Sequence, residues 1–224
     1  MKKPFILAID GPAGAGKSTT AHAVAAALGF AYLDSGALYR CVALAALERG
    51  IPADDDDALG ELARSVVIRQ TASGRFELDG RDVTGRIRTP EVSQAASRSS
   101  ACPSVRSALV QIQRAAVLEP GTVAEGRDIG TVIFPEADLK VFLDAEPGER
   151  ANRRALELAA KSAPAASVTK VAEEMAERDL RDRTRAVAPL ASAKDAIVMD
   201  TTNVPFGEVV ARIVREVEKR RHPK

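Results

Sequence analysis

The chain has 224 residues, a formal net charge of +1, two cysteines, two histidines and no tryptophan. That length suits one large domain with a substantial core, and the balanced charge gives no bulk pull toward nucleic acid or an anionic membrane. Cys41 and Cys102 form no CxxC and no disulfide framework, and His22 and His222 leave little scope for a histidine triad or a zinc site, so any chemistry must run on Lys, Arg, Asp, Ser and backbone amides.

The N-terminus lacks the apolar core and small-residue cleavage site of a signal peptide, and no segment approaches the roughly 20 apolar residues of a membrane span. A cytoplasmic protein is expected. Residues 5–9 form a short apolar run consistent with a strand buried on both faces, followed by a glycine-rich turn and a helix over residues 17–28 that Gly29 stops. Residues 30–33 read as a second strand. Ser35 is placed to cap a helix running to about residue 49, which Gly50 and Pro52 end.

The acidic run at residues 54–57 reads as a solvated helix start. Short strands are predicted at 66–71 and 76–78, with turn signals at Ser73-Gly74 and Asp79-Gly80, so a small antiparallel unit sits between helical segments. Helices follow at 91–100 and 104–118, separated by Pro103. Buried strands return at 122–124, 139–143 and 196–199, with arginine-rich helices at 147–161 and 168–185 between the last two, and a final helix at 206–221. Strands alternating with helices indicate an α/β fold on a parallel sheet carrying insertions.

Gly11-Pro12-Ala13-Gly14-Ala15-Gly16-Lys17-Ser18 fits GxxxxGK[ST] between a predicted buried strand and an alanine-rich helix. The glycines let successive amides wrap a phosphate, and the helix presents its positive N-terminus to the anion. Lys17 can bridge the β- and γ-phosphates, and the Ser18 hydroxyl can ligate magnesium. This is the signature of a nucleotide-phosphate site.

A phosphate loop alone does not separate GTPase, transporter ATPase and small-molecule kinase. There is no NKxD segment and no LSGGQ-like segment, and the DxxG at residues 57–60 lies at a helix start rather than after a strand. Transfer to a small anionic acceptor remains, and such an acceptor needs arginines. Arg40 lies on the helix after the second strand, and Arg127 and Asp128 follow a strand end, where open α/β sheets bind ligands. Arg178, Arg181, Asp182 and Arg185 share one helical face, which by pattern alone also fits a solvated salt-bridged surface. A kinase for UMP, AMP or a metabolite such as shikimate, and a nucleotide-dependent regulatory module, are the competing readings. The basic tail at 217–224 is more simply a helix C-terminus than a nucleic-acid site.

Six segments in order tie these features together: IDGPAGAGKST (9–19), YLDSGALYR (32–40), IRTPEVSQAAS (87–97), PSVRSALVQIQR (103–114), EGRDIGTVIFPEADLKVFLDA (125–145) and RDLRDRTRAVAPL (178–190). The chain resembles the bacterial cytidylate kinases, of the nucleoside monophosphate kinase group, over nearly its whole length. The resemblance implies one P-loop kinase domain with a five-stranded parallel sheet in the order 2-3-1-4-5, flanked by helices. It further implies a monophosphate-binding insertion at 35–114 that contains the antiparallel sheet, and a lid at 147–188.

The implied activity is transfer of the γ-phosphoryl group of ATP to CMP or dCMP, with Mg2+, by a monomer that needs no membrane or nucleic acid. By the same resemblance Thr19 joins the donor loop, and Ser35 and Tyr39 join the acceptor site. Ser97, Arg106 and Asp128 would face the cytosine edge, while Arg40, Arg127 and Arg185 would hold the acceptor phosphate, with Arg178 and Asp182 near ribose and phosphate. Lys17, Arg127 and Arg185 would be catalytic. A carboxylate opposite the cytosine amino group suits CMP and disfavours the carbonyl that UMP carries there. The resemblance leaves the individual roles of Arg150, Arg153 and Arg154 open.

Overall fold

A computed structural model describes residues 3–71, 74–160 and 167–222. Ser73 of the first predicted turn, Lys161 at the end of a predicted helix, and most of the irregular stretch around Pro164 lie outside the described residues. The apolar run becomes β1 (Phe5–Asp10), the middle strand of the main sheet. It is flanked by β6 (Gly121–Gly126) and β7 (Leu139–Asp144), with β2 (Ala31–Asp34) and β8 (Ile197–Asp200) at the two edges. All neighbours pair in parallel. Numbering only these five strands along the chain gives the predicted order, 2-3-1-4-5.

Alternation along β1 explains the two-sided core. Leu7 and Ile9 face a cluster made with α1 (Lys17–Leu28) and α8 (Phe206–Arg221), while Ala8 faces a second cluster with α2 (Ser35–Glu48). A strand that is apolar on both faces requires helices on both, and this sheet has them. Gly29 stops α1 as expected, in the left-handed conformation at φ 65° with its N–H reaching back to Ala25 and Ala26.

Between β2 and β6 the chain builds α2, α3 (Asp56–Ser65), a three-stranded antiparallel sheet, α4 (Pro90–Ser99) and α5 (Pro103–Ala115). The small sheet comprises β3 (Ile68–Gln70), β4 (Phe76–Leu78) and β5 (Arg81–Asp82), the last two joined by Asp79 and Gly80, both at positive φ. The acidic run starts α3, with Asp55 accepting from the Ala58 N–H at 3.0 Å.

Two local expectations are corrected. Asp34, not Ser35, caps α2, accepting from the Ala37 N–H at 2.9 Å, because Ser35 is already the first helical residue. Pro103 opens α5 rather than lying outside it, since proline at the first helical position sacrifices an N–H that has no intrahelical partner. Beyond β7 lie α6 (Pro147–Ala160) and α7 (Val168–Thr184), packed on each other, and Ser167 caps the second. No helix among the described residues is long and apolar enough to cross a membrane.

Candidate active site

The register of the central strands brings the loops together. Asp10 pairs with Gly126 and Ile9 with Glu125, so the phosphate loop after β1 and the Arg127-Asp128 turn after β6 leave the sheet side by side. This is the carboxyl-end crevice of an open α/β sheet. A cavity of about 210 Å³ lies there, walled by both loops, by α2 and α4 on one side and by α6 and α7 on the other.

One wall of the cavity is made by the loop backbone. Gly11 at φ 148° and Gly16 at φ 83° bend it where a side chain would strain or clash; a Cβ on Gly11 would lie 1.9 Å from the Leu143 carbonyl oxygen. No side chain among the described residues caps α1, so its first amides are presented to the cleft as an anion-binding nest. Lys17 is buried with Nζ donating to the Pro12 carbonyl at 2.7 Å. Burial, together with the Arg127 guanidinium, lowers its pKa, so an anionic phosphate is the partner that restores its charge.

The Ser18 hydroxyl donates to Glu125 Oε1 at 2.6 Å, and the Tyr32 hydroxyl donates to the same oxygen at 3.2 Å. Burial and the nearby Asp34 push the Glu125 carboxyl up, against the pull of Lys17. Among the described residues no three His, Cys, Asp or Glu converge as a metal site. Magnesium does not require three: it takes one or two hard protein oxygens and fills its octahedron with phosphate and water. A P-loop hydroxyl beside a carboxylate at the end of a buried strand is a donor set of that kind, and it fits.

The opposite wall of the cavity is an arginine cluster organised by two buried carboxylates. Asp128 pairs with Arg106, and Arg185 Nη2 stands 3.6 Å from its other oxygen. Asp182 accepts from Arg127 Nε at 3.0 Å and lies 3.8 Å from Arg178 and 3.9 Å from Arg185. Burial raises the Asp128 pKa despite these arginines, whereas for Asp182 Arg127 and Arg178 outweigh burial and hold it low. Eight cationic and five acidic side chains line the cavity, leaving an excess of positive charge for anionic ligands. The Tyr39 hydroxyl and Arg185 Nη2 have no hydrogen-bond partner among the described residues.

Thirteen of the predicted site residues line this cavity: Ala13, Gly14, Lys17, Ser18, Ser35, Tyr39, Arg40, Arg106, Arg127, Asp128, Arg178, Asp182 and Arg185. Gly11, Pro12, Ala15, Gly16 and Thr19 shape the loop without lining it. Ser97 also stands off, its hydroxyl accepting from Arg181 Nη1 at 2.9 Å. Arg40 is tied to the Ser93 hydroxyl at 2.6 Å and the Ile87 carbonyl. The three arginines of α6 separate clearly. Arg150 is buried against Asp179 and the Ala13 and Ala145 carbonyls, and Arg153 is bonded to Thr201 and Thr202. Only Arg154 lines the cavity, where it pairs with Glu157.

Sequence reasoning missed Glu125, Asp34 and Arg88, and left Arg154 open beside Arg150 and Arg153. Arg88 donates to the α2 cap Asp34 at 2.7 Å, joining the small-sheet segment to the cleft wall. For Glu125 a usable signal existed: a lone carboxylate ending a strand that the P-loop strand must neighbour.

Comparison with known proteins decides the family. The family model described as cytidylate kinase matches residues 7–219. The chain belongs to the cytidylate kinase family. It is 49% identical to the cytidylate kinase of Solibacter usitatus over 220 residues, covering 98% of this chain and 94% of that one. It is 48% identical to that of Pseudomonas aeruginosa, with 96% and 95% covered. Among solved structures, an uncharacterised protein from Eubacterium ventriosum superposes with a TM-score of 0.51 at 10% identity, covering 96% of this chain and 98% of that one, which speaks to the fold alone.

Proposed function

We propose that the protein transfers the γ-phosphoryl group of ATP to CMP or dCMP, giving ADP and the diphosphate. The observation that carries this reading is the meeting, in one crevice, of a phosphate loop and an arginine cluster whose buried Asp128 can accept from an exocyclic amino group. The acceptor phosphate is already largely ionised near neutral pH, so it needs alignment and charge neutralisation rather than a general base. In this reading the loop amides and Lys17 hold the donor phosphates, with Arg154 reaching toward them from α6. Arg40, Arg127, Arg178 and Arg185 hold the acceptor phosphate and lower the repulsion between two anions.

Ser18 and Glu125 would hold magnesium, which would supply neutralisation of the charge on the donor phosphates. Asp128 and Arg106 face the base, and Tyr39 and Ser35 wall the acceptor pocket. The segment 35–114 serves as the acceptor-binding insertion and 147–188 as the lid, whose closure excludes water from the transfer. Arg127 touches both sides of this arrangement, donating to the Gly11 carbonyl at 2.9 Å as well as to Asp182. Arg127→Ala should therefore raise the CMP dissociation constant and lower the transfer rate together, in calorimetry and a coupled ADP assay; an unchanged CMP titration contradicts the role.

A further inference from the structure

Asp10 lies behind the cavity rather than in it. It is the last residue of β1, is 5% exposed, and immediately precedes the phosphate loop. Its two carboxylate oxygens accept from the Ile129 N–H at 2.8 Å and the Gly130 N–H at 2.7 Å. Those amides open the single π-type turn Ile129–Ile133, for which Asp128 stands at the capping position.

An aspartate at such a position ordinarily turns back to accept from the amide of the second or third residue of its own turn. Asp128 does not, and its carboxylate goes to Arg106 and Arg185 instead. Of the amides open to a capping side chain, that of Gly130 is taken by a carboxylate more than a hundred residues earlier in the chain, which also holds the Ile129 amide beside it. The space is close-fitting: a Cβ on Gly130 would lie 3.4 Å from Asp10 Oδ2 and 3.1 Å from Lys140 Cδ. From the next residue, the Gly11 carbonyl accepts from Arg127. Residues 10 and 11 thus fix residues 127–130 by three hydrogen bonds.

We propose that Asp10 is a positioning residue of the transfer: by capping the Ile129–Gly130 turn in place of Asp128, it keeps the Asp128 carboxylate aimed into the acceptor site and sets the acceptor turn against the donor loop. This rests on the cytidylate kinase reading above. The stability economics agree with a functional role. Burial raises the Asp10 pKa to about 6, opposed by the two amides, so its charge at neutral pH is held against desolvation.

The test is steady-state kinetics with CMP and ATP on wild type, Asp10→Asn, Asp128→Asn and the double variant, with Asp10→Ser in parallel should the asparagine variant not fold. The asparagine variant leaves one of the two amides without an acceptor and frees Asp128 to fold back. It is expected to raise the KM for CMP about tenfold, with the KM for ATP changed less than about twofold. In the Asp128→Asn background the same substitution should change the KM for CMP by less than about twofold, because the residue it acts through is already gone. Equal rises in both KM values, a full effect persisting without Asp128, or a lowered melting temperature with unchanged KM values would each overturn the inference. A wild type that does not phosphorylate CMP would remove the cytidylate kinase reading, and this inference with it.

Discussion

In the proposed transfer, Lys17 is a single residue on which the chemistry depends. Its ammonium is buried, parked on the Pro12 carbonyl and depressed in basicity, which is costly for the protein alone and favourable once phosphate oxygens arrive. Lys17→Ala should lower kcat by about 10²–10³-fold, the usual cost of one preorganised donor to a developing charge, while CMP affinity changes little. Near wild-type turnover would remove the lysine from the mechanism. Lys17 was legible in the sequence because a spacing motif names it. Glu125 carried a weaker signal, since reading it meant combining its place near a strand end with the strand order, a pairing that spans more than a hundred residues.

Asp10 makes a pH prediction at the same scale. Its folded pKa of about 6 stands above the ordinary value of 3.8, so the folded state favours the protonated form. Between those values the unfolded chain has lost the proton and the folded chain has kept it. Stability from this group is therefore complete below about pH 3.8 and lost as pH rises through about 6. Asp10→Asn removes the titration. The stability of the variant relative to wild type should move in the variant's favour between pH 4 and pH 7.5, by up to about 3 kcal/mol. Denaturant midpoints at the two pH values measure this, and a difference that does not change with pH contradicts the assignment.

Elements place these residues through contacts that local sequence only partly announces. The glycine-lysine turn, the Gly29 stop and the two-sided apolar strands are local signals, and each appears in the fold. β5 has two residues and no period to detect, and the Asp34 cap was displaced by one residue because Ser35 is an equally good capping type. Gly11 is a sharper case. Its Cβ would strike the backbone of β7, whereas Gly50, also at positive φ, has nothing within 4 Å. Gly50→Ala should cost about 1–2 kcal/mol from backbone conformation alone. Gly11→Ala should cost more than about 3 kcal/mol, since the strand must also move. Equal melting temperatures for the two variants would show that the β7 contact does not constrain the loop.

At the scale of the whole molecule, near-zero net charge conceals a local imbalance. The cleft holds eight cationic side chains against five acidic ones, so composition excluded bulk attraction to polyanions without excluding small anionic ligands. The sheet order and the arginine placement were legible because six motifs occur in order. The standing of Ser97 off the cavity, and the separation of Arg154 from Arg150 and Arg153, depend on side-chain partners that no spacing encodes.

The central claim is that this crevice pairs a triphosphate donor with a cytosine monophosphate acceptor selected through Asp128. Initial rates of ADP formation with ATP and magnesium, measured with CMP, dCMP and UMP as acceptors, address it directly. The account predicts acceptor-dependent turnover with CMP or dCMP, at a kcat/KM at least about a hundredfold above that for UMP, whose carbonyl would set an acceptor against the buried carboxylate where cytosine offers a donor. UMP used as efficiently as CMP, or ADP formation that does not depend on either cytidine nucleotide, would contradict it.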